Sequence, residues 1–273
     1  AMQSKGYDVR FARLLPGGAV DTNDLLSKID KKTCLVSVMH VSNETGVIND
    51  IGFISQKAKK INPNIVLHSD GVQAFLKIPV NVKSLGVDAY SISGHKFHAP
   101  KGIGALYLSE KIHLSPYING GGQENGMRSG TENVAGIMAM AEAAKIYSQT
   151  LDFDAVTENY RYLLEKLVTI PGCTIIGDTD KNSRFIAAAS FAGCKAEILQ
   201  TMLADENIYV GRGSACSSHH SGNRVLSEMG LPQNIIDGTL RFSLSPENTK
   251  EEIDVAVKAL AQKIQALRGN KIG

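Results

Sequence analysis

The sequence predicts an α/β fold: a doubly wound, mostly parallel sheet in a large domain over residues 1–147, followed by a smaller C-terminal α/β domain over 148–273. Three observations carry this. Between Thr33 and about Leu108, short apolar runs alternate with helix-like stretches, the pattern of parallel strands joined by crossover helices. Three of these runs break into polar turns, as strands do where an open sheet presents its carboxyl ends to a ligand. After an Ala-rich helical stretch, Asn133 to Tyr147, new helices and strands begin, and 273 residues suffice for two moderate cores.

In chain order, Ala1 to Lys5 read as the end of a helix, with Gly6 as its stop and Tyr7 to Phe11 as the next strand, so the first residues are expected to lie mid-domain. Cys34 and the run from Val36 to Val41 form an apolar strand that enters Ser42-Asn43-Glu44-Thr45-Gly46, placing Asn43 at a strand end. Ile51 to Ile61 is helical, with Lys57, Lys59 and Lys60 on its solvated face. Ile65 to Leu67 is a short strand ending in His68-Ser69-Asp70-Gly71. Asp70 there either caps the next segment or faces a ligand; a carboxylate at this place would keep a pyridine nitrogen protonated.

Val87 to Ile92 reads as a buried strand that breaks into Ser93-Gly94-His95-Lys96. A lysine brought from the interior to a strand end, partly withdrawn from water, is a usable nucleophile toward an aldehyde. The alternative is an ordinary surface lysine beside a turn. Gly120-Gly121-Gly122 and Arg128-Ser129-Gly130-Thr131 follow, with Thr131 near a helix start, a natural anion position.

In the second domain, Phe153 to Leu167 is an amphipathic helix, and Thr174 to Ile176, Phe185 to Phe191, Ile208 to Val210 and Leu240 to Leu244 are strand-like. Thr249 and Glu252 have the spacing of a capping box, and Ile253, Val257, Leu260 and Ile264 make one apolar stripe. Between them lies Gly211 to Asn223, small and polar throughout, with Cys216 among serines near Arg212, His219 and His220. That is an exposed loop carrying a thiol placed for reactivity. Adjacent histidines with one cysteine lack zinc-motif spacing, so no metal site is expected. Cys34 in a strand, and Cys173 and Cys194 flanking strand-like segments, are expected to serve packing, and four unpatterned cysteines point to a reducing, cytoplasmic setting. A net charge of +2, from 29 basic and 27 acidic side chains, gives no field for nucleic acid, and no run is apolar enough to span a membrane.

Taken together, His40 to Gly46, Asp70-Gly71-Val72-Gln73, Ser93-Gly94-His95-Lys96, Pro100 to Ala105, Arg128 to Thr131, Gly213 to Ser217 and Arg241-Phe242-Ser243 resemble the cysteine desulfurases that feed iron–sulfur cluster assembly. These are fold-type I, class-V aminotransferase-like enzymes using pyridoxal 5'-phosphate. The resemblance runs along essentially the whole chain. It implies that Lys96 forms the Schiff base with the cofactor, Asp70 bonds the pyridine nitrogen, Gln73 contacts the ring hydroxyl, and Asn43 lies at the ring edge near the substrate. Ser93 and His95 would hold the phosphate, with Thr131 serving the other subunit of a homodimer. Arg241 would grip the carboxylate of L-cysteine, and Cys216 would leave as a persulfide for an iron–sulfur scaffold or thiolation protein.

The family's Gly-Ala-Thr-Glu phosphate loop and its ring-stacking histidine have no match here, since His40 belongs to another motif. The large domain is therefore expected to be incomplete, the chain an N-terminally truncated form, its cofactor site incomplete or empty and its activity poor. The stretch from Cys216 to Val225 is also slightly short, which bears on how far the cysteine travels. A noncatalytic module keeping the fold is the alternative outside enzymes, and a selenocysteine lyase the alternative within them. An ordinary aminotransferase would have no use for Cys216.

Overall fold

A computed structural model describes residues 2–213 and 224–269, which pack as two compact units. One comprises Ala1–Lys28, Val41–Asn49 and Asp152–Gly273; the other comprises Ile29–His40 and Asp50–Leu151. The sequence boundary at 147/148 follows chain order. Packing instead gathers the first 28 residues and the Val41–Asn49 loop with the C-terminal third.

In chain order the elements are α1 (Thr22–Ser27), β1 (Leu35–Met39), α2 (Ile51–Ile61), β2 (Val66–Asp70), α3 (Val82–Leu85), β3 (Ala89–Ser93) and β4 (Gly104–Leu108). They continue with α4 (Val134–Thr150), α5 (Phe153–Val168), β5 (Cys173–Ile176), β6 (Ile186–Phe191), α6 (Ala196–Ala204), α7 (Arg224–Glu228), α8 (Gln233–Asp237), β7 (Thr239–Ser243) and α9 (Lys250–Gly269).

The sheet unit holds β1–β4, in chain order across the sheet. β1, β2 and β3 are parallel, and β4 returns antiparallel to β3. The α/β class and mostly parallel sheet read from the sequence are present. β1 alternates, burying Val36 and Val38 while Leu35, Ser37 and Met39 stay exposed. Asp50 caps α2 by accepting from the Phe53 amide, and Ile54 and Ala58 are its buried stripe. Lys59 is not simply solvated: Nζ donates to the Gly86 carbonyl at 2.7 Å and to Asp88 Oδ1 at 2.9 Å.

The other unit centres on the antiparallel sheet β5-β6-β7. β6 is buried along its whole length, so its residues are small or apolar on both faces, and its polar member Ser190 donates its hydroxyl to the Ile235 carbonyl at 2.7 Å. Helices α5, α6 and α9 supply Tyr160, Leu163, Leu167, Leu199, Leu203 and Leu260, which close one core with Phe191 and Leu240. Each such side chain contributes about 1.5–3 kcal/mol when fully buried. The predicted capping box at α9 is present: the Glu252 amide donates to Thr249 Oγ1, and the Thr249 amide to Glu252 Oε2, both at 3.2 Å.

Three local expectations need correction. Tyr7 to Phe11 and Ile208 to Val210 form no strand, although Gly6 does end a short 3-10 turn in the left-handed region, φ +85°. Near the second segment, pairing begins only at Gly211, whose amide and carbonyl both bond Arg241. Cys34 is exposed just before β1 and not packed in a core.

Candidate active site

In the sheet unit the ends of three parallel strands are aligned, with Met39 opposite Asp70 and Asp70 opposite Ser91. The His40 amide donates to the Asp70 carbonyl at 2.8 Å, and the Gly71 amide to the Ser91 carbonyl at 2.9 Å. Asp70 is half-buried, and its Oδ1 accepts from the Val72 amide at 2.9 Å, a short-range turn contact and not a helix cap. On the same face of the sheet, His68 bridges the neighbouring strands through Ser37 Oγ at 2.8 Å and Ser91 Oγ at 3.3 Å. Burial lowers its pKa from the ordinary value, partly offset by the Asp70 charge.

Beneath this edge is a buried neutral pair. His40 Nδ1 lies 2.9 Å from the Tyr90 hydroxyl, with the rings edge to face. Burial pushes His40 down to about 4 and Tyr90 well above its ordinary range, where the Asp70 charge adds to the rise. Gly71 makes room for the tyrosine: a Cβ there would stand 1.9 Å from Tyr90 Cε1.

β3 runs into a 3-10 turn, Gly94–Phe97, which carries His95 and Lys96 and buries Phe97. Lys96 is half-buried and His95 exposed, with Nδ1 2.9 Å from Ser93 Oγ. The His95 pKa is lowered by desolvation first, then by the charges of Lys96, Lys101 and Lys77. Lys77 is buried, donates to Gln73 Oε1 at 3.1 Å, and is lowered to about 8 by burial and then by Lys96. Asp70, Gln73, Ser93, His95 and Lys96 thus lie at or just after the ends of β2 and β3, with Lys77 and Lys101 close enough for their charges to act on His95. Lys77 was legible only as a lysine on an apolar stretch.

The glycine loop folds onto the polar segment that follows it. The Gly122 amide donates to Ser129 Oγ at 3.3 Å, and the Gly130 amide to Gln123 Oε1 at 3.1 Å. Thr131 is exposed, and its carbonyl accepts from Arg128 Nη1 at 3.1 Å. The residue that caps α4 is Asn133, through the Gly136 amide, so Thr131 stands before the helix start and not on it.

Asn43 belongs to the other unit, where it packs with Arg241. From β7, Arg241 Nη1 donates to the Asn43 carbonyl at 3.0 Å and to the Gly213 carbonyl at 2.9 Å. Among the described residues, Arg241 Nε and Glu44 Oε2 are buried without a hydrogen-bond partner. Burial raises the Glu44 carboxyl and lowers the Arg241 guanidinium, and each charge partly offsets the other's shift. A guanidinium with an uncommitted N–H in a desolvated setting suits a carboxylate. Cys216, with His219 and His220, lies outside the described residues.

The strand-end donor set fits pyridoxal phosphate. The charges of Lys96, Lys101 and Lys77 around the His95 ring match a phosphate; the Lys96 amine matches an aldehyde, and the Asp70 carboxylate matches a ring nitrogen. Among the described residues no cluster of three or more His, Cys, Asp or Glu is placed to hold a metal, and no helix is long and apolar enough to cross a membrane.

Comparison with known proteins agrees with this chemistry. The aminotransferase class-V family matches residues 1–255. Cysteine desulfurase IscS of Rickettsia typhi is 37% identical, the match covering 98% of this chain and 66% of that protein. The IscS protein of Dictyoglomus turgidum is 36% identical, covering 98% and 68%. Among solved structures, a NifS-like protein superposes with a TM-score of 0.88 at 34% identity, over 97% of this chain and 70% of that one. The chain spans about two thirds of the length of these relatives.

Proposed function

The chain belongs to the class-V aminotransferases and, within them, to the cysteine desulfurases; on that premise we propose that it serves the conversion of L-cysteine to L-alanine with transfer of sulfur through Cys216. The observation that carries the reading is the strand end where Lys96, Asp70 and a cluster of cations converge. Pyridoxal phosphate, when bound, supplies an electron sink for bonds at the substrate's carbon skeleton.

The chain's own groups take the remaining tasks. The Lys96 amine would anchor the aldehyde, the Asp70 carboxylate would keep the ring nitrogen protonated, and Gln73 would contact the ring oxygen. Ser93 and His95 hold the phosphate, joined by Thr131 across a homodimer. Asn43 orients substrate, and Arg241 binds its carboxylate with the planar fork that suits such a group. The Cys216 thiolate bonds to the substrate sulfur as the substrate's C–S bond breaks. The released electron pair and a proton end on carbon to give alanine, and the sulfur remains as a persulfide for an acceptor protein such as an iron–sulfur scaffold or thiolation protein.

The test is borohydride reduction of the chain mixed with pyridoxal phosphate, followed by peptide mass spectrometry beside Lys96→Ala, which traps even a weak adduct. A pyridoxyl group concentrated on Lys96 supports the reading. Label spread evenly over surface lysines, or unchanged in total when Lys96 is replaced, removes it.

A further inference from the structure

Gln73 and Lys77 are four residues apart, yet they sit in a series of turns and not in a helix. The Ala74 and Phe75 amides close onto the Gly71 carbonyl, and the Lys77 and Ile78 amides onto that of Ala74. Between them Leu76 takes φ +63°, a left-handed conformation that costs an ordinary residue about 1 kcal/mol and is kept where surrounding structure requires it. Immediately after this bend the Lys77 side chain is buried, at 9% exposure, with Nζ 3.1 Å from Gln73 Oε1.

The chemistry of this contact fixes more than its distance. An ammonium has three donors and no acceptor, so only the oxygen end of a carboxamide can face it. The Gln73 oxygen is thereby committed, and its NH2 is left as the end available to another group. An NH2 can only donate, so the ligand atom it serves must be an acceptor, and most strongly an anionic one.

We propose that Lys77 is a positioning residue: by holding the Gln73 oxygen it presents the Gln73 NH2 as a donor, and so selects a ligand ring that carries an ionised oxygen. The inference rests on the cofactor reading above and deepens it. Burial and Lys96 lower the Lys77 ammonium to about 8, so it keeps its proton, and with it this orientation, at neutral pH. A plain cation for the phosphate would attract every phosphorylated ligand alike, whereas a lysine acting through Gln73 discriminates on the ring oxygen.

The experiment compares pyridoxal phosphate with its 3-deoxy analogue, which lacks only that oxygen. Dissociation constants, and the pH midpoint of the visible band of the bound cofactor, are measured for the native chain, Lys77→Met, Lys77→Arg and Lys77→Gln. Lys77→Met is expected to weaken pyridoxal phosphate about tenfold and raise the band's pH midpoint, while the 3-deoxy analogue changes less than about twofold. Lys77→Arg should retain most of the preference. Lys77→Gln, whose amide can meet either end of Gln73, should fall between and serves if the methionine variant does not fold. Equal weakening of both ligands would overturn the proposal in favour of simple charge attraction, and no change in either would overturn it outright. If native chain shows no Lys96-dependent binding, the cofactor reading itself falls and the proposal with it. Lys96-dependent binding that is blind to Lys77 removes the proposal alone.

Discussion

The two centres of charge in this molecule are built in opposite ways. At the strand end of the sheet unit, the charges of Lys96, Lys101 and Lys77 disfavour a proton on His95, and that of Lys96 disfavours the Lys77 ammonium. In the other unit Arg241 has Glu44 beside it, and each moderates the other's burial. The first, with Asp70 as its carboxylate among several cations, therefore gains from a further anion, while the second already holds a counter-charge and gains from a ligand mainly through geometry. Their seats differ too. Each relies on a glycine, but Gly71 adjoins the rigid ring of buried Tyr90, whereas Gly211 adjoins the far end of the Arg241 side chain. The strand end is a fixed platform, and the arginine is held with room to adjust.

The largest expected effect tests that platform. In Gly71→Ala the new Cβ would lie 1.9 Å from Tyr90 Cε1 and 2.4 Å from its hydroxyl oxygen, so the ring must leave its place and its contact with His40. Overpacking plus a lost buried hydrogen bond should cost about 3 kcal/mol or more, read from chemical denaturation. Pairing it with Tyr90→Leu should return part of the loss. A near-neutral Gly71→Ala would mean the platform yields, and the contrast between the two seats would disappear.

Next in size is a pH effect that arises mainly from the sheet unit's buried pair. His40 is pushed from 6.5 to about 4, so between these values the unfolded chain binds a proton that the folded chain refuses. Stability is complete above about 6.5 and is lost as pH falls toward 4, by at most about 3 kcal/mol. His68 and His95 are shifted the same way and add to the slope. Urea midpoints between pH 7 and 4.5 should drop steeply in the native chain and less in His40→Gln. An equal slope in both would place the acid sensitivity elsewhere.

Much of the platform was legible because strand ends announce themselves. Apolar runs that stop at Asp70 and Ser93 fix which side chains share an edge, and the parallel register then brings Lys96 near them. The α9 capping box was legible for the same reason, being local. Long-range choices were hidden. Nothing local says that the Val41–Asn49 loop packs with the C-terminal unit, where the Asn43 carbonyl accepts from Arg241. Lys77 and the His40–Tyr90 pair were missed because burial of a polar side chain depends on what folds over it. Tyr7 to Phe11 has strand-like residues but pairs with no strand among the described residues, which propensity alone does not reveal.

The smallest effect is the most discriminating. In Gly211→Ala a Cβ would approach Arg241 Nε and Nη2 to 2.9 Å, too close to remain, yet those atoms end a flexible side chain. The guanidinium should swing by a few tenths of an ångström, straining its bonds to the Asn43 and Gly213 carbonyls while the Gly211–Arg241 backbone pair stays closed. Denaturation should show a loss under about 1 kcal/mol, well below that of Gly71→Ala. Affinity for an amino-acid carboxylate, measured by calorimetry, should fall by a larger share, because a displaced fork loses its two-point fit before it loses its charge. If stability instead fell as far as in Gly71→Ala, the arginine would be as firmly seated as the tyrosine, and the counter-charge from Glu44 would be fixing it in place and not merely compensating its burial.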